Sequence, residues 1–106
     1  MLEIKWSKGE KKAARKAFDV AYKCECADLI KKIQAKAEIL YVPEDLWNLH
    51  DYMDKEIINF GKKYDYRYSV LLLVFAQLIK DGWLTLDELK GLSEEKLERI
   101  NKLLNL

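Results

Sequence analysis

Few residues in this chain could do chemistry. Among 106 residues there is one histidine, His50, and there are two cysteines, Cys24 and Cys26. A nucleophile–histidine–acid triad would have to use His50, and nothing around either cysteine resembles a nucleophile elbow. The cysteines stand two apart inside a helical pattern, which turns their side chains about 200° from each other. They cannot converge on one metal from one helix, and they do not form the Cys-x-x-Cys spacing of redox sites. Two reduced thiols, buried or half-buried, are expected. A single histidine also leaves no zinc-ligand spacing. Gly9, Gly61, Gly82 and Gly91 are isolated, so no glycine-rich loop could cradle phosphate. Asp81-Gly82 is followed by Trp83 and Leu84, which are not calcium ligands. No catalytic residue, metal ligand or cofactor site is expected, and the chain reads as a non-enzyme that acts by binding.

The residues suited to binding lie near the middle. Trp47, Asp51, Asp54 and Ile58 share one helix flank, displaced from the main apolar stripe. A tryptophan beside carboxylates has the composition of a protein-binding hot spot. It equally has the composition of a gap-filler between two helices with solvated acids beside it, and the residues alone do not separate the two. His50 falls on the apolar stripe, as a core or dimer-interface histidine would. Nucleic acid is a weaker fit. Lys8, Lys11, Lys12, Arg15 and Lys16 are basic, and Tyr64, Tyr66 and Tyr68 interleave with Lys62, Lys63 and Arg67. The tyrosines serve as well at the edge of a core with wet hydroxyls. No nucleic-acid partner is expected.

These residues need helices to position them. Ser7-Lys8-Gly9-Glu10 matches a capping box, and a helical pattern then runs to about residue 41, where Val42-Pro43 interrupts it. A helix over 7–41 would be about 50 Å long. It carries two seams. Phe18, Tyr22, Cys26, Leu29, Ile33, Ala37 and Leu40 form a bulky stripe. Ala13, Ala17, Val20, Cys24 and Ala27 follow heptad spacing, with side chains small enough to admit a second copy of the chain. Pro43 suits the first position of a second helix, with Glu44 and Asp45 in its first turn. That helix spans 43–60, carries Leu46, Leu49, His50, Met53, Ile57 and Phe60 on one face, and stops at Gly61. A third, over 65–81, is apolar nearly all round and should be buried. Thr85 and Ser93 cap short helices over 86–91 and 94–104. The fold class is all-α: one domain over 1–106, five helices with the first much the longest, assembled as a homodimer.

The formal net charge is +1, so no global field draws the chain to polyanions. Residues 5–36 hold ten Lys/Arg against four Asp/Glu, and residues 81–99 hold six Asp/Glu against three Lys/Arg. Such runs read first as solvated helix faces. The hexapeptide from Met1 to Trp6 lacks an apolar signal-peptide core, and the longest apolar run, Val70 to Ala76, is too short to span a bilayer. A cytoplasmic protein without a transmembrane segment is expected.

One block is more specific. Asp45-Leu46-Trp47-Asn48-Leu49-His50-Asp51-Tyr52, then Lys63-Tyr64-Asp65-Tyr66-Arg67-Tyr68-Ser69-Val70, then Val74-Phe75-Ala76-Gln77-Leu78-Ile79-Lys80-Asp81-Gly82, resembles the fluorescence recovery protein family at the family's own spacing. The likeness continues more loosely through Trp6-Ser7 and Ala17-Phe18…Ala21-Tyr22. It implies an all-helical homodimer that binds the light-activated orange carotenoid protein, speeds its return to the resting form and so ends photoprotective quenching. It also implies that Trp47, His50 and Asp51 lie in or near the dimer interface and act on the partner, with Arg99 in the place of a family basic residue. Two positions depart: Ile57 stands where an arginine is expected, and Leu73 where a phenylalanine is expected. The alternative is a family-like interaction protein with another protein client.

Overall fold

The structure, a computed structural model, describes residues 4–106; Met1, Leu2 and Glu3 of the N-terminal hexapeptide lie outside it. Four α-helices and one 3-10 turn follow in order: α1 Lys8–Glu38, α2 Pro43–Lys63, α3 Leu71–Lys80, the 3-10 turn Leu86–Leu89, and α4 Glu94–Leu104. Among the described residues there is no strand. The molecule extends over 54 × 26 × 26 Å, and its radius of gyration is 17.1 Å, against about 13 Å for a compact chain of this length. The 31 residues of α1, about 46 Å at 1.5 Å per residue, set that shape. Its N-terminal half is the floor of a head made with α3, the 3-10 turn and α4. Its C-terminal half forms a hairpin with α2.

Local chemistry explains most element ends. Ser7 Oγ accepts from the Glu10 N–H at 3.1 Å, and Glu10 Oε1 accepts from the Ser7 N–H at 2.9 Å, closing the capping box. Asp45 folds back to accept from the Tyr41 and Val42 N–H groups, which fixes the turn ahead of Pro43. The α3 terminus is a Schellman closure. Trp83 N–H reaches the Leu78 carbonyl at 2.9 Å, and Gly82 N–H reaches that of Ile79 at 3.1 Å. This requires the positive φ of 86° that Gly82 adopts, a conformation costly for side-chain-bearing residues.

The boundaries differ from the sequence expectation in four places. α1 stops at Glu38 rather than residue 41. α2 passes through Gly61 to Lys63, because an exposed glycine weakens a helix without ending it. The 86–91 segment is only a 3-10 turn over Leu86–Leu89, so the α-helices number four. The largest difference is in 65–70, which is irregular chain followed by a turn rather than the start of α3. The irregular segment lets alternate tyrosines reach one ring. Tyr64 and Tyr66 both stand edge-on to Phe18, with centroids 5.4 and 4.8 Å away. Tyr68 packs on Trp6 at 5.3 Å. A helix would turn Tyr66 away from Tyr64 by about 200°.

The core sits in the head. Ala14, Ala17, Phe18 and Ala21 of α1 are buried against Leu71, Leu72, Val74, Phe75, Ala76 and Leu78 of α3, with Leu84, Leu89, Leu92 and Ile100 completing it. The two seams expected on α1 are redistributed. Ala17 is buried within the chain, and a Cβ placed on Gly91 would come within 2.6 Å of the Ala13 Cβ, so this end of the small-residue seam receives the chain's own 3-10 segment. Val20, Cys24 and Ala27 remain exposed, which also corrects the expectation of a buried or half-buried Cys24. In the bulky stripe Phe18 is buried, Cys26, Leu29, Ile33 and Leu40 are half-buried, and Tyr22 and Ala37 are exposed.

Candidate functional site: two uncovered surfaces

α2 contains no buried residue. Its expected apolar stripe splits in two. Leu49, Met53 and Phe60 are half-buried, whereas Leu46, His50 and Ile57 are exposed. Trp47 and Ile58 extend this outward face, and Trp47 is 63 % and Ile57 59 % exposed. His50 Nδ1 lies 3.2 Å from Asp51 Oδ1, with both side chains in solvent. The structure therefore places Trp47, His50 and Asp51 together on the outer side of α2. Trp47 fills no gap between α1 and α2, and His50 is not in the core of the single chain.

The C-terminal end of α2 is tied down by charge. Lys63 Nζ pairs with Glu25 of α1 at 2.9 Å and with Asp81 at the end of α3. Tyr64 Oη donates to Glu25 Oε1 at 2.7 Å. Burial works against the Lys63 charge, but the hydrogen bonds to Asp81 and Glu25 outweigh it and hold the pKa above the ordinary lysine value. Burial, reinforced by the Glu25 hydrogen bond, pushes the Tyr64 phenol far up. One ammonium thus joins three helices where hairpin meets head.

Arg99 is on neither of these features. It lies on α4, exposed, with its guanidinium 3.0 Å from Glu95 one turn back. It forms the rim of a groove of about 370 Å³ across the head, lined by Ile4, Ser69, Leu72, Leu73, Arg99, Lys102, Leu103 and Leu106. The lining is mostly apolar, with two cationic side chains and no acidic one. Leu73 is 56 % exposed although α3 is otherwise largely buried. Ile4, Leu72, Lys102, Leu103 and Leu106 were not anticipated as site residues. Sequence held one signal for them: Ser69, Leu72 and Leu73, and separately Arg99 and Leu103, stand at helix-neighbour spacing.

A third feature fixes the head's own geometry. Glu10 Oε2 accepts from the Ser93 N–H and from Lys96 Nζ, both at 2.9 Å. The same carboxylate thus serves the N-termini of α1 and α4. The Ser7 backbone hydrogen bond, with help from Lys96 and Ser93, overrides burial and holds the Glu10 pKa down at about 2. Among the described residues no His/Cys/Asp/Glu group could hold a metal ion, and no helix is long and apolar enough to cross a membrane.

Comparison with known proteins gives these surfaces a context. Residues 6–104 match the profile of the family described as photoprotection regulator fluorescence recovery protein. The chain is 38 % identical over 104 residues to the fluorescence recovery protein of Synechocystis sp., covering 98 % of this chain and 95 % of that one. Its fold is similar to the solved structure of the Fremyella diplosiphon fluorescence recovery protein, with a TM-score of 0.91 and 44 % identity over 96 % of this chain and all of that one. The Synechocystis structure matches with the same TM-score and coverage at 37 % identity. An all-helical architecture, a profile match over nearly the whole chain and two full-length structural matches converge: this chain belongs to the fluorescence recovery protein family of photoprotection regulators.

Proposed function

We propose that the protein is a non-enzymatic homodimer that binds the light-activated orange carotenoid protein and speeds its return to the resting form, ending quenching. The observation that carries this reading is the pair of uncovered apolar surfaces on a member of this family: the outer face of α2 and the groove across the head. An apolar face of this kind on a small chain marks an interaction site. The α2 face, with Trp47, His50 and Asp51, is the natural seat of a second copy, since a two-fold contact sets one patch against itself. The head groove is the natural seat of the client. Its two cations and apolar floor suit an apolar anchor flanked by carboxylates. Binding the open client without also stabilising the route to closure would leave the client trapped. The regulator must therefore favour the route by which the client's domains close again.

The experiment mixes the protein with photoactivated orange carotenoid protein in the dark and follows recovery of the orange absorbance. Faster recovery is expected; an unchanged rate at excess protein refutes the reading. A second reading, a family-like interaction protein with a different client, is favoured by one observation. Ile57 and Leu73, the two departures from the family pattern, both lie exposed on these surfaces. It predicts self-association with no effect on any carotenoid protein.

A further inference from the structure

Lys96 is 5 % exposed and is the buried charged side chain of the head. Its Nζ donates to the Lys5 carbonyl at 2.6 Å and to Glu10 Oε2 at 2.9 Å. It also lies 4.8 Å from the centroid of the Trp6 ring. Trp6 packs on Tyr68, yet its Nε1 is buried without a partner. Ser7 is held by its capping box with Glu10; ahead of it, the polar hold on residues 4–6 is the Lys96 bond to the Lys5 carbonyl. Residues 4–7 are not helical, and such a terminal stretch orders only where it is tied down. Ile4, the neighbour of the held carbonyl, is a wall of the head groove beside Leu72, Leu73, Leu103 and Leu106.

We infer that Lys96 is a positioning residue for the groove: by gripping the Lys5 carbonyl it straps residues 4–6 across the head, so that Ile4 closes one side of the seat for the client. This rests on the reading that the client docks in that groove. Lys96 and Arg99 are three apart on α4 but do separate work. Arg99 lines the groove itself, while Lys96 is buried and holds the segment that carries Ile4. With Ile4 free, a docked apolar anchor would keep one side in water, and affinity falls with the apolar area left uncovered.

The test uses two variants of the full chain. In Lys96→Met, the Trp6 indole N–H resonance moves toward its solvent-exposed position, while those of Trp47 and Trp83 stay. The protein concentration giving half-maximal acceleration of client recovery rises about tenfold, and the limiting rate at saturation is unchanged. In Ile4→Ser, the Trp6 resonance stays and the half-maximal concentration rises similarly. If Lys96→Met fails to fold, Lys96→Met combined with Glu10→Gln, which leaves no carboxylate without its ammonium, takes its place with the same expectations. A half-maximal concentration unchanged in Ile4→Ser, or unchanged in Lys96→Met with Trp6 released, overturns the inference while leaving the functional reading standing. A wild-type protein without effect on the client removes that reading, and the inference with it.

Discussion

Head and hairpin are built from the same α1 helix but satisfy their apolar residues in opposite ways. In the head, α1 faces α3, and Phe75, Leu71, Leu78, Leu89 and Ile100 are fully buried. In the hairpin, α1 faces only α2, and no α2 side chain is buried. Two helices side by side can shield the strip between them, but a third layer is needed to cover a face as well. The head has that layer in α4 and the 3-10 turn. The hairpin lacks it, and Leu46, Trp47, Ile57 and Ile58 face outward. The head is thus completed by the chain itself, whereas the outer face of the hairpin stays uncovered, which is why the proposed self-contact is placed there.

Mutations should separate the two regions. The largest effect is expected in the head: Phe75→Ala should cost about 3–5 kcal/mol in chemical denaturation, from lost burial plus the cavity. Phe18→Asp, which buries a charge without a partner, should abolish cooperative melting. Leu40→Asp, expected from its place in the bulky stripe to act likewise, should instead be mild, because Leu40 is only half-buried at the hairpin tip. A Leu40→Asp protein that fails to melt cooperatively would break the comparison.

Next comes Gly91→Ala. Its new methyl would meet the Ala13 Cβ at 2.6 Å, and overpacking of this kind costs about 1–3 kcal/mol. Thermal melts of Gly91→Ala and Gly61→Ala sharpen the contrast. Gly61 lies in the α2 helix with nothing within 4 Å of a new Cβ, so alanine there should be neutral or stabilising. Acid titration adds a third measure. Glu10 has its pKa lowered from 4.5 to about 2. Its contribution is therefore fully present above the ordinary carboxylate value and is lost as pH falls through 4.5 toward 2. Glu10→Gln should flatten the acid limb of the stability profile over that window. The smallest effect on the fold is expected at Trp47→Ala, within about 0.5 kcal/mol at concentrations where the chain is monomeric. Sedimentation should nevertheless show weakened self-association. A Trp47→Ala protein that associates like wild type would remove α2 from the proposed interface.

The capping residues were legible because their chemistry is local. Ser7 with Glu10, Thr85 with Glu88 and Ser93 each contact a backbone group three residues away. The segment after α2 was not legible as a break. Tyr64, Tyr66 and Tyr68 alternate with period two beside an apolar run that continues into α3. The non-helical form packs these tyrosines on the rings of Phe18 and Trp6, contacts made with distant parts of the chain. In the candidate sites, Trp47 and Asp51 were grouped by type and spacing on one flank of α2, while His50 joined them only through the family resemblance. The groove was not legible, because its walls come from residue 4, residues 69–73 and residues 99–106.

The sequence by itself determined that the chain is helical, where most helices are capped and which family it belongs to, since capping, periodicity and motif spacing are properties of neighbours along the chain. Tertiary structure decided which apolar residues are inside. The small-residue seam of α1 is consumed at Ala13 and Ala17 by the chain's own head, while the stripe of α2 is shared between α1 and solvent. Burial depends on what else is within reach, and for these two helices that is set by segments distant along the chain, as where Gly91 meets Ala13 and Phe60 meets Tyr22.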